Sequence, residues 1–287
     1  MVVLVTGANG QLGQSIQFIA DKYPNIQFVY TDFQEMDITN LENCKTVFAT
    51  HKPQFCINTA AYTAVDKAES EQEKAHLINA LGPENLANVC KEFDTILLHI
   101  STDFIFDGTS TTPYKESDIP NPQSVYGQTK LDGELAIQKN WEKHIIVRTS
   151  WVYSQFANNF MKTMLRLASE RDSLSVVNDQ IGTPTYAVDL AEVLMKIVQS
   201  SIIHHPSSFG IYNFSNEGQC SWYDFAAAIF HQKRIEIDLK SIPTTSYPTP
   251  AKRPSYSVLD KTKIKKVFGI KLKDWKASLI VSLNHLN

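Results

Sequence analysis

The chain has no long apolar run, no basic block and no closely spaced cysteine pair, and each absence removes a class of function. Its longest apolar stretches are strand-sized, far short of the roughly 20 residues a helix needs to cross a bilayer. Lys and Arg number 27 against 30 Asp and Glu, a net charge of −3. With no positive cluster, nothing favours a nucleic-acid partner. The four cysteines, Cys44, Cys56, Cys90 and Cys220, are far apart and form no Cys-x-x-Cys motif. Neither a zinc site nor a redox pair is therefore expected, and reduced thiols of a cytoplasm suit them best. Met1 runs straight into "VVLV", leaving no room for a charged leader segment, so a cytoplasmic protein is expected. Repeats and low-complexity tracts are missing too. With 43% hydrophobic and 20% charged residues over 287 positions, the chain can bury a large core.

The first half alternates strands and helices. "VVLVT", "IQFVYTD" (26–32), "QFCINTAA", "TILLHIST" (95–102) and "HIIVRTSWVY" read as strands. "GQLGQSIQFIADKY", "LENCKTVFATHK", "EKAHLINALGPENLANVCKEF" and "SVYGQTKLDGELAIQKN" read as the helices between them. Near-continuous apolar strands separated by helices indicate a parallel sheet covered on both faces. The expected class is α/β, a doubly wound Rossmann sheet with a smaller C-terminal substrate-binding lobe. Residues 1–150 are expected to bind a dinucleotide. Residues 151–287 are expected to form mainly the substrate lobe, with some segments returning to the sheet. In that second half "AVDLAEVLMKIVQ" is helical, and the proline-rich tail "SIPTTSYPTPAKRPSYSVLD" has little periodicity and reads as a binding loop.

"VTGANGQLG" places Gly7, Gly10 and Gly13 three residues apart between a strand and a helix. Such a turn lets the backbone approach a pyrophosphate, whose charge meets the N–H groups at the helix start. Asp32 ends the second strand, where a carboxylate accepts hydrogen bonds from an adenosine ribose and repels a 2′-phosphate. Asp37, in "MDIT", lies where it could reach an adenine amino group. The small residues of "NTAAY" (58–62), Ala60 and Ala61 among them, would let a cofactor lie close.

Strand "LLHIST" ends in Ser101, Thr102 and Asp103, at the carboxyl edge where such sheets bind ligands. Tyr126 and Lys130 stand four apart on one helix face. A phenol there can give a proton to a carbonyl oxygen as hydride reaches the carbon, and Thr102 can hold that oxygen through a second hydrogen bond. A free phenol titrates near 10, too high for easy exchange at neutral pH. Lys130, with the positive charge of an oxidised nicotinamide, is expected to lower it.

With these residues the chain resembles the extended short-chain dehydrogenase/reductases, and more narrowly the dTDP-4-dehydrorhamnose reductase family. The likeness runs through "TGANGQLG", "NTAAYTAVDKAES", "ISTDFIFDG", "NPQSVYGQTKLDGE", "RTSWVYS", "NNFMKTMLRLA", "VVNDQIGTPTY" and "YPTPAKRPSYSVLD". The resemblance implies NADH- or NADPH-dependent reduction of the C4 ketone of a dTDP-linked sugar, a step toward surface polysaccharide. It makes Tyr126 the proton donor, Lys130 its partner toward the cofactor, and Thr102 the third catalytic member. It assigns Gly10, Gln11, Leu12, Asp37, Ile38, Ala61, Tyr62 and Thr63 to the cofactor, and Thr63, Val65 and Trp151 to the sugar nucleotide. Trp151 offers an indole face to a sugar, and Arg253 in "AKRPSYS" could fork onto the substrate diphosphate.

One departure concerns the assembly. Relatives that bridge a dimer with metal carry a glutamate two places after the third glycine, where this chain has Ser15. No metal is expected, and a homodimer, where one forms, is expected without a metal bridge. A sugar-nucleotide dehydratase would carry Thr-Asp-Glu where Thr102, Asp103 and Phe104 stand. Epimerases of the same fold usually have a small residue at Asp103, and non-catalytic regulatory subunits form a further alternative.

Overall fold

The computed structural model describes residues 1–286. Five strands of the first half, β1 (Val2–Thr6), β2 (Gln27–Tyr30), β3 (Phe55–Asn58), β4 (Ile96–Thr102) and β5 (His144–Thr149), join a sixth, β6 (Gly210–Asn213). They form one parallel sheet in the order β6-β5-β4-β3-β1-β2. The chain leaves β1 toward β2 on one side and returns to β3 on the other, so the crevice at the carboxyl ends of β1 and β3 is the switch point where such sheets bind ligands.

Alternate residues of the central strands feed two separate cores. Val3, Val5, Ile57, Leu98, Ile145 and Val147 face one, which also holds α1 (Gln11–Ile19) and Leu190, Leu194 and Ile197 of a helix spanning Ala187–Val198. Leu4, Cys56, Leu97 and Ile146 face the other, against α2 (Leu41–His51) and α3 (Gly82–Glu92). The period-2 geometry of a strand sorts the residues, and with both faces covered the strands read as unbroken apolar runs. All four cysteines are buried free thiols within these cores.

The structure differs from the sequence reading in several places. The long helix expected around residues 73–93 carries a π-helical turn at Leu77–Leu81 between Gln72–His76 and Gly82–Glu92. The strand expected through residue 153 stops at Thr149, because Trp151 takes a left-handed backbone (φ 49) before a two-residue strand, Val152–Tyr153. β6 and the helices Trp222–Lys233 and Trp275–Asn284 were not anticipated. β6 is only four residues long and owes its place to its pairing with β5.

Candidate active site

A cleft of about 900 Å³ opens at the carboxyl ends of β1, β3, β4 and β5. It gathers Gly7, Gly10, Gln11, Leu12, Asp32, Asp37, Ile38, Ala60, Ala61, Thr63, Val65, Thr102, Asp103, Tyr126, Lys130, Trp151 and Arg253. Of the residues expected at the site, Gly13 and Tyr62 are absent from its lining. A Cβ at Gly13 would sit 2.5 Å from Ala8 Cα, so that glycine lets α1 press against the turn. Tyr62 turns its hydroxyl away to Glu71 Oε2, 3.0 Å distant.

The glycine turn is shaped by backbone constraints. Gly7 has φ +62, and a Cβ there would lie 2.6 Å from Ala60 N, so only glycine lets the β1 and β3 loops touch. Gly10 opens α1 with no side-chain cap. The first N–H groups of that helix thus face the cleft with the positive end of its dipole, a ready seat for a pyrophosphate. Asp32 stands beside this turn and accepts from Asn9 N (2.9 Å) and Phe33 N (2.7 Å). Asp37 holds Thr39 through its main-chain N–H and its hydroxyl. These features fit a nicotinamide dinucleotide.

α4 (Val125–Asn140) carries the tyrosine and lysine. Ser124 caps it by accepting from Gly127 N, and Glu69 Oε1 accepts from Val125 N at 2.9 Å. A Cβ at Gly127 would lie 2.2 Å from Phe104 O, so glycine lets the helix settle against the end of β4 and brings Tyr126 beside Thr102. Asn79 locks the neighbouring loop: it accepts from Tyr62 N and donates to Tyr62 O and to Thr129 Oγ1 on α4.

The electrostatics depart from expectation. Burial pushes the Tyr126 phenol up to about 12; hydrogen bonding with Thr102 pulls it down and the Asp103 charge raises it. Lys130 does not counter this, because its ammonium is turned into the protein, where it donates to Ile100 O at 2.7 Å. Burial brings Lys130 down to about 8, against the raising influence of Glu134. Asp103 is lifted to about 6, mainly by burial. The expected lowering of the phenol by Lys130 is therefore not supplied by the chain's own residues.

The opposite wall is built from distant segments. Trp151 stacks on Trp222 with centroids 3.6 Å apart and planes 11° apart, and Phe160 leans on Trp222 at 4.6 Å. Trp222 was not foreseen from the sequence; its only signal is the "SWYD" capping box, in which Ser221 and Asp224 bond reciprocally. Arg253, expected to point at a diphosphate, forks instead onto Asp66, with Nη1–Oδ1 of 3.0 Å and Nη2–Oδ2 of 2.8 Å. That pair holds the Asp66 carboxyl below its ordinary value and straps the C-terminal loop across the cleft. Phe104, in the place of a dehydratase's glutamate, packs edge-on against Tyr126 at 5.5 Å.

The family model described as "RmlD substrate binding domain" matches residues 1–287. The chain is 44% identical to a dTDP-4-dehydrorhamnose reductase of Aggregatibacter actinomycetemcomitans, covering 96% of each. Among solved structures it is similar to a dTDP-4-dehydrorhamnose reductase from Clostridium acetobutylicum, with TM-score 0.94, 43% identity, and 100% and 99% of the two chains covered. It is also similar to the dTDP-4-dehydrorhamnose reductase of Bacillus anthracis in complex with NADP, with TM-score 0.92, 36% identity and 99% of each chain covered.

Proposed function

The chain belongs to the RmlD substrate binding domain family, and from that premise we propose that it is a reductase converting dTDP-4-dehydro-L-rhamnose to dTDP-L-rhamnose with NADPH or NADH. The observation that carries this reading is the single cleft holding the uncapped glycine turn, Thr102, Tyr126 and Lys130 together. When bound, the nicotinamide cofactor supplies the hydride. The first N–H groups of α1 seat its pyrophosphate, and Asp32, Asp37 and Ile38 flank the adenosine side.

Tyr126 gives its proton to the oxygen at C4 as that oxygen gains charge. A phenol held near 12 stays protonated at neutral pH, which is the form that donates. Thr102 places a hydroxyl beside the same oxygen, and the Trp151 face, backed by Trp222, supports the sugar ring. Arg253 contributes a cation to the rim, where it can serve the diphosphate only by sharing or leaving Asp66. An elimination is disfavoured because the apolar ring of Phe104 occupies the place of the dehydratase acid.

Residues 1–150 take the cofactor, and residues 151–287 mainly the sugar nucleotide, with Ala187–Val198 and β6 returning to the sheet. Among the described residues no helix is long and apolar enough to cross a membrane, and a biosynthetic enzyme using cytosolic nucleotides belongs in the cytoplasm. Ser15 is buried and donates to Gln11 O at 2.7 Å, so α1 offers no carboxylate there for a bridging metal. Any homodimer is accordingly held without metal, and light scattering with EDTA should give an unchanged mass.

The deciding assay supplies dTDP-4-dehydro-L-rhamnose, follows NADPH and NADH oxidation, and identifies the product sugar by NMR. Rhamnose is expected. A 6-deoxytalose product would correct the configuration, and absence of cofactor oxidation would remove the reductase reading.

A further inference from the structure

A row of buried polar groups crosses the face of the sheet that is otherwise apolar. Thr6, Asn58 and His99 are register neighbours on β1, β3 and β4, and all three are essentially fully buried. Thr6 Oγ1 donates to Asn58 Oδ1 at 2.6 Å, Asn58 Nδ2 meets His99 Nδ1 at 2.9 Å, and His99 Nε2 lies 3.4 Å from Lys130 Nζ. The row thus links the residue before the glycine turn to the lysine of the active site. Polar groups set among apolar neighbours are costly unless every partner is satisfied, so each atom in the row constrains the next.

The protonation pattern follows from one fixed donor. Ala60 N–H donates to Asn58 Oδ1 at 3.2 Å, and a main-chain N–H cannot change role. Asn58 therefore turns its NH₂ to His99, whose Nδ1 must accept. An imidazolium, or the Nδ1–H tautomer, would set two donors against each other there. His99 is left neutral with its hydrogen on Nε2, aimed at Lys130 Nζ. Burial and the nearby Lys130 and His144 charges act in the same direction, disfavouring a charged ring.

An Nε2–H pointing at Nζ is satisfied by the lone pair of a neutral amine and opposed by an ammonium. Other charged or titratable groups near the pair are Glu134, Arg148, His144, Asp103 and Tyr126. Glu134 favours the charged lysine, but its carboxylate is forked onto Arg148 at 2.8–3.2 Å. Ile100 O accepts from either form of Lys130.

Resting on the reductase reading above, we infer that His99 is a positioning residue which makes Lys130 a proton-exchanging group instead of a fixed cation. The neutral amine of Lys130 keeps its lone pair on His99 Nε2–H, and the ammonium forms again when solvent returns a proton.

Two measurements test this, and the first needs neither cofactor nor substrate. In protein carrying ¹⁵N-histidine, long-range ¹H–¹⁵N spectra should show His99, assigned by its loss in His99→Asn, as the neutral Nε2–H tautomer from pH 8 to pH 5. An Nδ1–H tautomer, or a ring that charges within that range, overturns the inference. The second is the pH profile of kcat for dTDP-4-dehydro-L-rhamnose. His99→Asn keeps a polar group toward Asn58 and empties the Nε2 position, so the limb set by Lys130 should move up by about one pH unit, a tenfold change in the protonation equilibrium. NADPH affinity should stay within about twofold, roughly 0.4 kcal/mol, because His99 does not line the cleft. His99→Gln, which restores an amide N–H near Nε2, should bring the limb back. If both variants lose activity with an unchanged profile, His99 is packing only and the role is withdrawn. If wild type turns over no sugar nucleotide, the role falls with the reductase reading, while the tautomer is still decided by the spectra.

Discussion

The two walls of the cleft are built in opposite ways. On the cofactor side most comes from a short span, with β1, the glycine turn, α1 and the end of β2 all lying within the first 32 residues, joined by Asp37, Ile38 and the end of β3. On the substrate side, Val65, Trp151, Trp222 and Arg253 come from four distant segments and meet only in the fold. A local wall can be recognised from spacing, because turn geometry and helix start dictate residue types at fixed offsets. An assembled wall has no such offsets, and its pieces are specified by packing partners that lie far off in the chain.

Tyr126 stands where the walls meet, and its loss should have the largest effect. Tyr126→Phe removes only a hydroxyl, so kcat should fall about 10²–10⁴-fold, as for other positioned acids, while NADPH affinity is retained in a fluorescence titration. Unchanged turnover would end the catalytic role of this residue.

Gly7→Ala strikes the local wall. It combines a positive φ with a Cβ only 2.6 Å from the Ala60 backbone. A stability loss above about 3 kcal/mol is expected from the strain and the clash, seen as a lower Tm together with weaker binding of both cofactors. A variant as stable as wild type would mean the turn is not held against β3.

Trp222→Ala tests the assembled wall. It uncovers one face of Trp151, and KM for the sugar nucleotide should rise about tenfold, equal to roughly 1.4 kcal/mol. The NADPH dissociation constant should not follow; if both constants rise together, the walls are not separable. The smallest effect is expected from Asp32→Ala. Removing the carboxylate near the adenosine ribose should shift preference from NADH toward NADPH by about fivefold, or roughly 1 kcal/mol, in parallel titrations. Equal ratios in both proteins would leave Asp32 as a brace for Asn9 N and Phe33 N only.

The same contrast explains what the sequence disclosed. Five sheet strands and the Tyr126/Lys130 helix were legible because their apolar periodicity and caps are local. β6 was not, because "GIYN" is short and becomes a strand through pairing with β5. Trp222 and Asn79 were missed for a related reason: an aromatic or an asparagine on a helical turn says nothing until its partner is known. His99 was hidden inside a strand that reads as plain core, where alternation predicts burial but not a row of hydrogen bonds across three strands. What the sequence left unread at Lys130 and Arg253 is their electrostatic partners. Spacing placed them at the site, but it could not show that one ammonium turns inward to Ile100 O or that one guanidinium is already paired with Asp66.

β6 has a further consequence for how the protein is made. β5, with all six residues buried, ends at Thr149, yet its outer neighbour begins only at Gly210. While the ribosome adds the intervening 60 residues, the nascent sheet presents the unpaired N–H and C=O row of an apolar strand, at a synthesis rate of about 5–20 residues per second. For several seconds that open edge is a template for pairing with another chain. A nascent chain halted before Gly210 should therefore be the species that holdase chaperones bind and that aggregates, whereas one released past Asn213 should be able to seal itself.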